Sequence, residues 1–351
     1  MKQLVLVQGP HLMFDMNNLT HAYGKPNATA TFKASPDDFK VCELLAFELS
    51  GAGEHQFLRI EKRGLNTEEL VKSLARCLNK PVKSISYAGL KDRQALTTQW
   101  LSVHCPGEDI ANASELEGSG WRVIDCGRHL KKLKIGGLSG NQFTVILRDM
   151  LNTDDIEERL NVIQLGGVPN YFGPQRFGHN GQNIIKAQDM LLKGVRVKDR
   201  FLRGIYYSAA RSFLFNRILS ERVTANTWNK ALSGDVMQLG GTHSIFSIDT
   251  PDESIHARIA SHDISPTAPL WGKGCERMSM DALISQQNAL QGFEPWCDAL
   301  EQHGLERMYR SHTLQVSHLT WDWLDAHSLA LSFELVAGAY ATSVLREVVN
   351  I

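Results

Sequence analysis

The segment GLKDRQALTTQW (residues 89–100) places one carboxylate, Asp92, between two cations, Lys91 and Arg93. It follows the apolar stretch SISYAG and precedes the strand-like TTQWLSVH, so it is predicted to form a turn between two strands. One interpretation is a solvated turn that happens to be charged. The other is an ionised carboxylate held ready at the edge of a sheet. A carboxylate with a reference pKa of about 3.9 is ionised at neutral pH, and a nearby cation keeps it ionised even when it is partly buried.

Several familiar catalytic patterns are missing from the sequence. It contains no HExxH, paired CxxC or His-rich run, so a zinc site has little support. It also lacks GxxxxGK[ST] and GxSxG, and GKGCERM (272–278) resembles a phosphate loop only superficially. GSGWRV (118–123) begins like GxGxxG but has no third glycine. The sequence therefore favours chemistry without a metal, a nucleotide cofactor or a serine nucleophile.

Two clusters of cations are candidates for contact with nucleic acid. The chain's net charge is −1, so any such site must be local rather than a general basic coat. One cluster is RHLKKLK (128–134), and the other comprises Lys193, Arg196, Lys198, Arg200 and Arg203. Each carries enough positive charge to neutralise several phosphates. A solvated charged face is the alternative for both.

The segment VPNYFGPQRFGHN (168–180) interleaves Tyr171, Phe172 and Phe177 with glycine, proline and polar residues. Such a segment is suited to stacking on bases and contacting a nucleic-acid backbone. A packed loop with buried aromatic side chains fits the pattern equally well.

The elements that must position Asp92 are mostly strands. Residues 39–48 and 55–63 are predicted strands joined by the turn SGAGE. Asn66 begins a helix, because Glu69 three residues later completes a capping box. Further strands are predicted at 84–88, 98–103, 121–126, 142–148 and in SLALSFEL, and a helix at 153–165.

The chain of 351 residues is long enough for about two domains, and its 43% apolar content can build their cores. The pattern changes after Gly166-Gly167, and residues 180–233 are mostly helical in pattern. Strand patterns at both ends of the chain, with a helical middle, indicate one domain interrupted by an inserted second one.

The sequence indicates a soluble, cytoplasmic protein. Its six cysteines are irregularly spaced, which is typical of reduced structural thiols in a cytoplasm. The apolar run in MKQLVLVQGPHLM is too short for a signal peptide core or a membrane span. No uncharged stretch approaches 18 apolar residues.

Six segments, in the same order along the chain, together resemble the tRNA pseudouridine synthase D (TruD) family. The resemblance covers both ends and the start of the middle, and it fades between about 225 and 315. The segments are KASPDDFKVCE (33–43), GEHQFLRIEKRGLNT (53–67), GLKDRQALTTQW (89–100), RHLKKLKIGGLSGNQFTVILR (128–148), VPNYFGPQRFG (168–178) and AGAYATSVLREVVN (337–350).

The resemblance implies a nucleophile. The family's G-x-K-D-[RK]-x-A motif places it on Asp92. Members isomerise a uridine of folded tRNA, at position 13 in the D-arm, to pseudouridine, and need no cofactor or metal. The carboxylate could attack the sugar C1′, remove a sugar proton after glycosidic cleavage, or add to C6 of the base, and we favour chemistry at the sugar. The cation beside it could be Lys33, Lys91 or Arg346.

The resemblance also implies substrate contacts. Phe39 in D-F-x-V-x-E, Asn141 in G-N-x-F and Tyr340 in A-G-x-[FY]-A-T-S match the family's binding positions, and Phe143 is expected to shape the pocket. Many members carry Phe where Tyr340 stands, so its hydroxyl needs a partner or water. Ordinary core packing is the alternative for the three aromatic side chains. The uridine must leave its stack to be reached.

The implied architecture is α+β. A mainly antiparallel, mixed-sheet pseudouridine synthase catalytic domain comprises residues 1–166 and 316–351. An inserted α/β TruD-type domain comprises residues 167–315, with the active-site cleft expected between the two and lined by the basic clusters. We expect a monomer that binds tRNA but neither membrane nor metal.

A different class of function remains open at this stage: an RNA-binding protein or tRNA folding aid with little or no catalysis. Asp92, Asn141 and an aromatic side chain at 340 argue for activity, because a pure binder does not need them. A nuclease ranks last, since neither a carboxylate cluster nor a His pair is evident.

Overall fold

A computed structural model of the chain describes residues 18–351. The stretch MKQLVLVQGPHLM, interpreted above as neither signal peptide nor membrane span, lies outside them. In the part described, no helix is both long and apolar enough to cross a membrane.

Strands dominate the N-terminal half of the chain. Its elements are β1 (Thr29–Phe32), β2 (Phe39–Leu45), β3 (His55–Lys62), α1 (Thr67–Cys77), β4 (Ile85–Tyr87), β5 (Leu96–His104), β6 (Glu117–Gly118), β7 (Trp121–His129), β8 (Leu138–Leu151) and α2 (Ile156–Gly166).

Helices and short strands follow, and two long strands and a helix end the chain. These elements are β9 (Val168–Pro169), α3 (Gln182–Leu192), α4 (Arg200–Thr224), β10 (Val236–Leu239), β11 (Ile245–Ser247), α5 (Glu253–Ala260), β12 (Ile264–Leu270), α6 (Met280–Ala289), α7 (Glu294–Gln302), β13 (Met308–Ser311), β14 (Thr313–Leu314), β15 (Ser317–Asp325), β16 (Ser328–Val336) and α8 (Ala341–Val348).

The described chain divides into two compact units. The first, called the sheet unit here, comprises residues 27–164, 316–338 and 349–351. The second, called the helical unit, comprises the described residues up to 26 together with 165–315 and 339–348. Each is described by itself.

The sheet unit is built on one large sheet whose strands follow the order β15-β16-β8-β2-β5-β3-β7-β6, with β1 beside β8 and β4 beside β5. Every pairing is antiparallel except that of β2 with β5. The strict alternation in SLALSFEL buries Leu329, Leu331, Phe333 and Leu335 on one face of β16. The prediction of a mainly antiparallel sheet with helices agrees with this arrangement.

Helix α1 begins where the sequence predicts. Asn66 is its N-cap: its side chain accepts a hydrogen bond from the Glu69 N–H, and the Glu69 carboxylate accepts one from the Asn66 N–H. Its apolar face, including Leu70 and Leu74, packs with Leu58 of β3 in one buried cluster. The helix thus covers β3 and β5 beside the segment that carries Asp92.

The helical unit is centred on α4, which is 25 residues long and capped by Asp199. A large buried cluster joins α4 to α3, α6, α7 and residues 171–177. A four-stranded antiparallel sheet of order β11-β10-β12-β13 lies in the same unit.

The boundary of the inserted segment, at 165 and 315, lies close to the predicted 167 and 315. The units differ from the predicted domains in two other segments, since residues up to 26 and 339–348 group with the insertion. Helix α8 explains this grouping, because its Ser343 hydroxyl donates to the Tyr171 carbonyl at 2.7 Å and Arg346 donates to the Leu19 carbonyl at 2.6 Å. Which unit carries out catalysis stays a prediction.

Candidate active site

The Asp92 segment is a tightly held loop between β4 and β5. Side chains from β3, β5 and α1 bond to its backbone, and one of its own side chains bonds back to the turn after β3. These hydrogen bonds run from Gln99 Nε2 to the Gly89 carbonyl (3.4 Å), from the Lys91 N–H to Thr67 Oγ1 (2.9 Å), from Lys62 Nζ to the Asp92 carbonyl (3.0 Å) and from Arg93 Nε to the Gly64 carbonyl (2.9 Å). The loop is therefore fixed from several sides, unlike a solvated turn.

The Asp92 carboxylate pairs with neither of its sequence neighbours. Its Oδ2 lies 2.5 Å from Lys33 Nζ, and its Oδ1 accepts the Gln94 N–H at 2.9 Å. The side chain keeps 33% of its surface exposed, so it is accessible to a reactant. Burial alone would raise the pKa of Asp92, but the bond from Lys33, the Gln94 N–H and the charges of Lys33 and Lys62 hold that pKa below its ordinary value. The carboxylate is thus ionised at neutral pH.

Lys33 reaches Asp92 because of where β1 ends. Lys33 follows β1 directly and has a φ of 59°, in the left-handed region that non-glycine residues rarely adopt. Its ammonium lies 4.4 Å from the centre of the Phe39 ring and 5.2 Å from that of Phe32. Two aromatic faces therefore hold the ammonium against the carboxylate.

Phe39 and Phe143 lie together on one face of the sheet. Their rings stack with centroids 6.1 Å apart, and Phe143 stacks in turn on Phe333 at 5.4 Å. Only 5% of Phe39 and 6% of Phe143 is exposed. In this structure Phe39 supports Lys33 and Phe143 supports Phe39, and their contact with a substrate stays a prediction.

A second ion pair lies next to the first. Lys91 Nζ is 2.7 Å from Glu43 Oε1, and Glu43, which is fully buried, also accepts the Trp100 N–H at 2.7 Å. Burial raises the pKa of Glu43, and Lys91 offsets only part of that effect. Lys91 is therefore held by Glu43 rather than by Asp92.

Asn141 lies directly opposite Glu43 in the pairing of β2 with β8, so the two side chains share a face of the sheet. Among residues 18–351 no partner bonds to the Asn141 side-chain oxygen, although that atom is buried. A buried polar atom without a partner is costly. It is suited to accept a donor from a ligand.

Six of the predicted site residues thus lie in one neighbourhood of the sheet unit: Lys33, Phe39, Lys91, Asp92, Asn141 and Phe143. Tyr340 and Arg346 belong to the helical unit. Arg346 bonds to Glu347 at 2.7 Å and to the carbonyls of Leu19 and Thr20. Of the three cations considered for Asp92, Lys33 is the one that binds it.

The hydroxyl of Tyr340 has a protein partner. It accepts a hydrogen bond from Arg176 Nε at 2.9 Å, and Arg176 also donates to Ser208 Oγ at 2.8 Å. The Tyr340 ring packs edge-on against Phe172 with centroids 5.9 Å apart. The departure from Phe at this position is therefore accommodated within the helical unit.

We expect Tyr340→Phe to change turnover by less than about threefold and to lower the free energy of unfolding by about 1 kcal/mol, because only one hydrogen bond is lost and the ring remains. Ser208→Ala, which removes the other partner of Arg176, is the matched control. Turnover and urea unfolding would be measured for both. A large loss of turnover in Tyr340→Phe alone would mean that the hydroxyl itself acts on the substrate.

The aromatic side chains of VPNYFGPQRFGHN are packed in the core of the helical unit and are not exposed on the surface. Tyr171, Phe172 and Phe177 are at most 4% exposed and belong to the large cluster of the helical unit. The packed-loop interpretation is the one the structure shows. These rings are not available for base stacking as they stand.

Two sequence comparisons show which protein family this chain belongs to. A family model described as tRNA pseudouridine synthase D (TruD) matches residues 15–196 and 182–348. A tRNA pseudouridine synthase D of Legionella pneumophila (strain Corby) is 53% identical over 330 residues, which cover 94% of this chain and 97% of the relative. The chain belongs to the tRNA pseudouridine synthase D (TruD) family. The family prediction is confirmed, and with it the enzyme class, since tRNA pseudouridine synthases are isomerases.

More distant TruD relatives extend the comparison. The tRNA pseudouridine synthase D of Hydrogenovibrio crunogenus is 41% identical over 96% of this chain and 97% of its own length. A crystal structure of a Methanosarcina mazei protein assigned to TruD is 21% identical, covers 95% of this chain and 96% of that one, and superposes with a TM-score of 0.73. The predicted pseudouridine synthase fold is confirmed by this match.

In each basic cluster of this TruD-family chain, one cation forms an ion pair with a carboxylate and others are exposed. In the first, Arg128 is held by Asp109 at 2.5 Å, whereas Lys131, Lys132 and Lys134 are exposed. In the second, Lys193 pairs with Asp189 at 2.9 Å, and the cations at 196, 198, 200 and 203 are exposed. Both surfaces carry positive charge that is open to a solvent-borne anion.

In the described part of the chain, no three or more His, Cys, Asp or Glu side chains are grouped so that they could hold an ion.

Sequence reasoning missed two charged residues that contact the Asp92 loop, Glu43 and Lys62. Each lies on the inward face of its strand: Glu43 follows Phe39 and Val41 at period two, and Lys62 follows Leu58 and Ile60. A charge in an inward position of an alternating strand is the signal that could have identified both.

Proposed function

We propose that this chain isomerises a uridine of tRNA, at position 13 in the D-arm, to pseudouridine, with Asp92 as the nucleophile. The observation that carries the proposal is the carboxylate of Asp92, ionised, partly exposed and held against Lys33 on a loop that is bonded from several sides. Such preorganisation is what a nucleophile needs, because no rearrangement is then required at the moment of reaction.

The reaction breaks the N1–C1′ bond, turns the uracil and joins C5 to C1′, so the hydrogen on C5 passes to solvent. Attack of Asp92 on C1′ would place negative charge on the departing uracil. Lys33, which touches the carboxylate, is positioned to favour such charge. Chemistry at the sugar is the route that we propose.

Recognition of the base is assigned to Asn141, Phe39 and Tyr340. The side-chain oxygen of Asn141 is suited to accept the N3–H of uracil, because it is buried and has no partner among residues 18–351. Contact of Phe39 and of Tyr340 with the flipped base stays a prediction from the family resemblance, as does the role of Phe143, which stacks on Phe39.

Binding of the tRNA backbone is assigned to the exposed cations of the two basic clusters. The second cluster also presents Phe201, which is 65% exposed, at the start of α4. An exposed ring among cations suits an unpaired base. The affinity for tRNA should accordingly fall steeply with salt. A monomeric, cytoplasmic enzyme stays a prediction.

The test uses an unmodified tRNA transcript with tritium at uridine C5 and the purified protein without added metal or cofactor. We expect tritium release from the wild type and none from Asp92→Ala, with tRNA binding largely intact. Glu108→Ala is the matched control, because Glu108 is also a carboxylate paired with a lysine, Lys80 at 2.9 Å, and should leave release unchanged.

The position of the product would be mapped on the released RNA, and position 13 is expected. Binding without release across a broad set of tRNAs would instead favour an RNA-binding protein or tRNA folding aid.

A further inference from the structure

Lys62 is a buried lysine beneath the Asp92 loop. It is the last residue of β3, only 1% of it is exposed, and it stands opposite Thr97 of β5 on the covered face of the sheet. Lysine is almost never fully buried without specific partners, because its ammonium loses its hydration. Packing alone therefore does not explain why a lysine stands at this buried position.

Both hydrogen-bond acceptors of the Lys62 ammonium are backbone carbonyls. Nζ donates to the Leu65 carbonyl at 2.7 Å and to the Asp92 carbonyl at 3.0 Å. One bond holds the turn that leads into α1, and the other holds the residue that carries the carboxylate. The ammonium thus joins the end of β3 to the loop at the Asp92 backbone itself.

The charge of Lys62 also acts on the carboxylate. Burial lowers the pKa of Lys62 to about 8, and the charge of Asp92 works against that reduction. In return, Lys62 is one of the cations that lower the pKa of Asp92. The other charged groups that face Lys62 are Lys91 on the loop, Glu43 on β2 and Glu69 on α1.

We propose that Lys62 is a positioning residue for Asp92: its ammonium fixes the Asp92 backbone and keeps a positive charge beneath the carboxylate. Lys33 binds the carboxylate itself, whereas Lys62 is buried, acts through the backbone of the loop and is assigned no contact with the substrate. The inference rests on the proposed function, since it assigns Lys62 to the same reaction.

The role has a pH signature. Above a pH of about 8 the Lys62 ammonium loses its proton, so the rate of the chemical step should fall as the pH rises through that value. The stability of the fold changes in the opposite direction. The unfolded chain keeps its lysine protonated up to about 10.4, so it binds more protons than the folded chain above pH 8, and folding becomes more favourable there. The titration of Lys62 therefore does not by itself destabilise the fold above pH 8.

The test compares wild type, Lys62→Met and Lys62→Gln in single-turnover tritium release with saturating enzyme, between pH 6 and 9. We expect both variants to be slower at pH 7 by about tenfold or more, the effect of losing a charged hydrogen bond, with unchanged tRNA affinity. Both should lack the fall in rate near pH 8 that the wild type shows. Lys80→Met, at an exposed ion pair, should keep the wild-type rate and profile.

Urea unfolding at each pH accompanies the rates, so that any loss of the fold at high pH is measured separately from the loss of rate. A wild-type rate that does not fall near pH 8 would overturn the proposal even if neither variant folds. So would a folded Lys62→Met protein with the wild-type rate and profile. Failure of the proposed function looks different, since the wild type would then release no tritium at any pH.

Discussion

Lys33→Met should slow turnover by about 100- to 1,000-fold while tRNA binding remains nearly unchanged, the range expected when a preorganised charge is removed from a reacting group. Lys33 bonds to the Asp92 carboxylate at 2.5 Å and is held there by the faces of Phe32 and Phe39. Methionine keeps the length and the contact with the rings but removes the charge. Among residues 18–351, the Gln94 N–H would then be the remaining hydrogen-bond donor that orients the carboxylate.

The same variant should shift the pH dependence in a defined direction. In the wild type the pKa of Asp92 lies below its ordinary value, so the carboxylate loses its charge only as the pH falls through that depressed pKa. Without Lys33 the effect of burial is less opposed, so the pKa of Asp92 rises. The acid limb of the turnover rate should therefore move to higher pH. Single-turnover tritium release, followed from pH 8 down through the ordinary aspartate pKa of about 3.9, would measure it.

Lys40→Met is the matched control, because Lys40 is also a lysine of the sheet unit but is exposed on strand β2. It should leave both the rate and the acid limb unchanged. If Lys33→Met kept the wild-type rate with an unshifted limb, the pair with Asp92 would have no part in the reaction.

Arg346→Met should reduce the stability of the helical unit by about 3–5 kcal/mol, the cost of removing one partner from a buried ion pair. The Arg346 side chain is only 10% exposed and lies 2.7 Å from Glu347, which is fully buried. Arg346 also binds the carbonyls of Leu19 and Thr20 and lies 5.0 Å from the centre of the Tyr171 ring. The variant leaves a buried carboxylate with less compensation and detaches α8 from the segment before residue 26.

Hydrogen–deuterium exchange read by mass spectrometry suits this prediction, because it reports each unit separately. Protection should fall in α8 and in the neighbouring residues 18–26, while β2 and β8 stay protected. Arg258→Met is the matched control: Arg258 pairs with Asp263 at 2.6 Å on the surface, and an exposed pair contributes at most about 1 kcal/mol. Unchanged protection in Arg346→Met, together with a raised KM for tRNA, would support a direct role in substrate binding instead.

Much of the local structure follows from short-range patterns. The capping box at Asn66 and Glu69 set the start of α1, and the alternation in SLALSFEL set β16, because both depend on residues a few positions apart. The strand predicted at 142–148 proved to be the 14-residue β8, which extends further at both ends. Pattern reasoning is least certain at such ends, since pairing with neighbours decides where a strand stops.

Dependence on the pairing of distant strands also limits what the sequence predicts about buried charged side chains. Glu43 and Lys62 are not among the site residues that the sequence predicts, although each occupies an inward position of an alternating strand. Their partners, Lys91 and the Asp92 carbonyl, lie in a loop far along the chain. Long-range partners of this kind are brought close only by the order of the strands in the sheet.

By itself, the sequence determined the family, the carboxylate Asp92 and the neighbouring elements, because motifs and periodicity are written in adjacent residues. Only the tertiary structure decided which cation binds that carboxylate. Lys91 and Arg93 flank Asp92, yet their side chains turn to Glu43 and to the Gly64 carbonyl. Lys33, 59 residues away, reaches it instead. The physical reason is that β1 pairs with β8 and is followed directly by Lys33 in the left-handed conformation, which directs the lysine over Phe39 toward the loop.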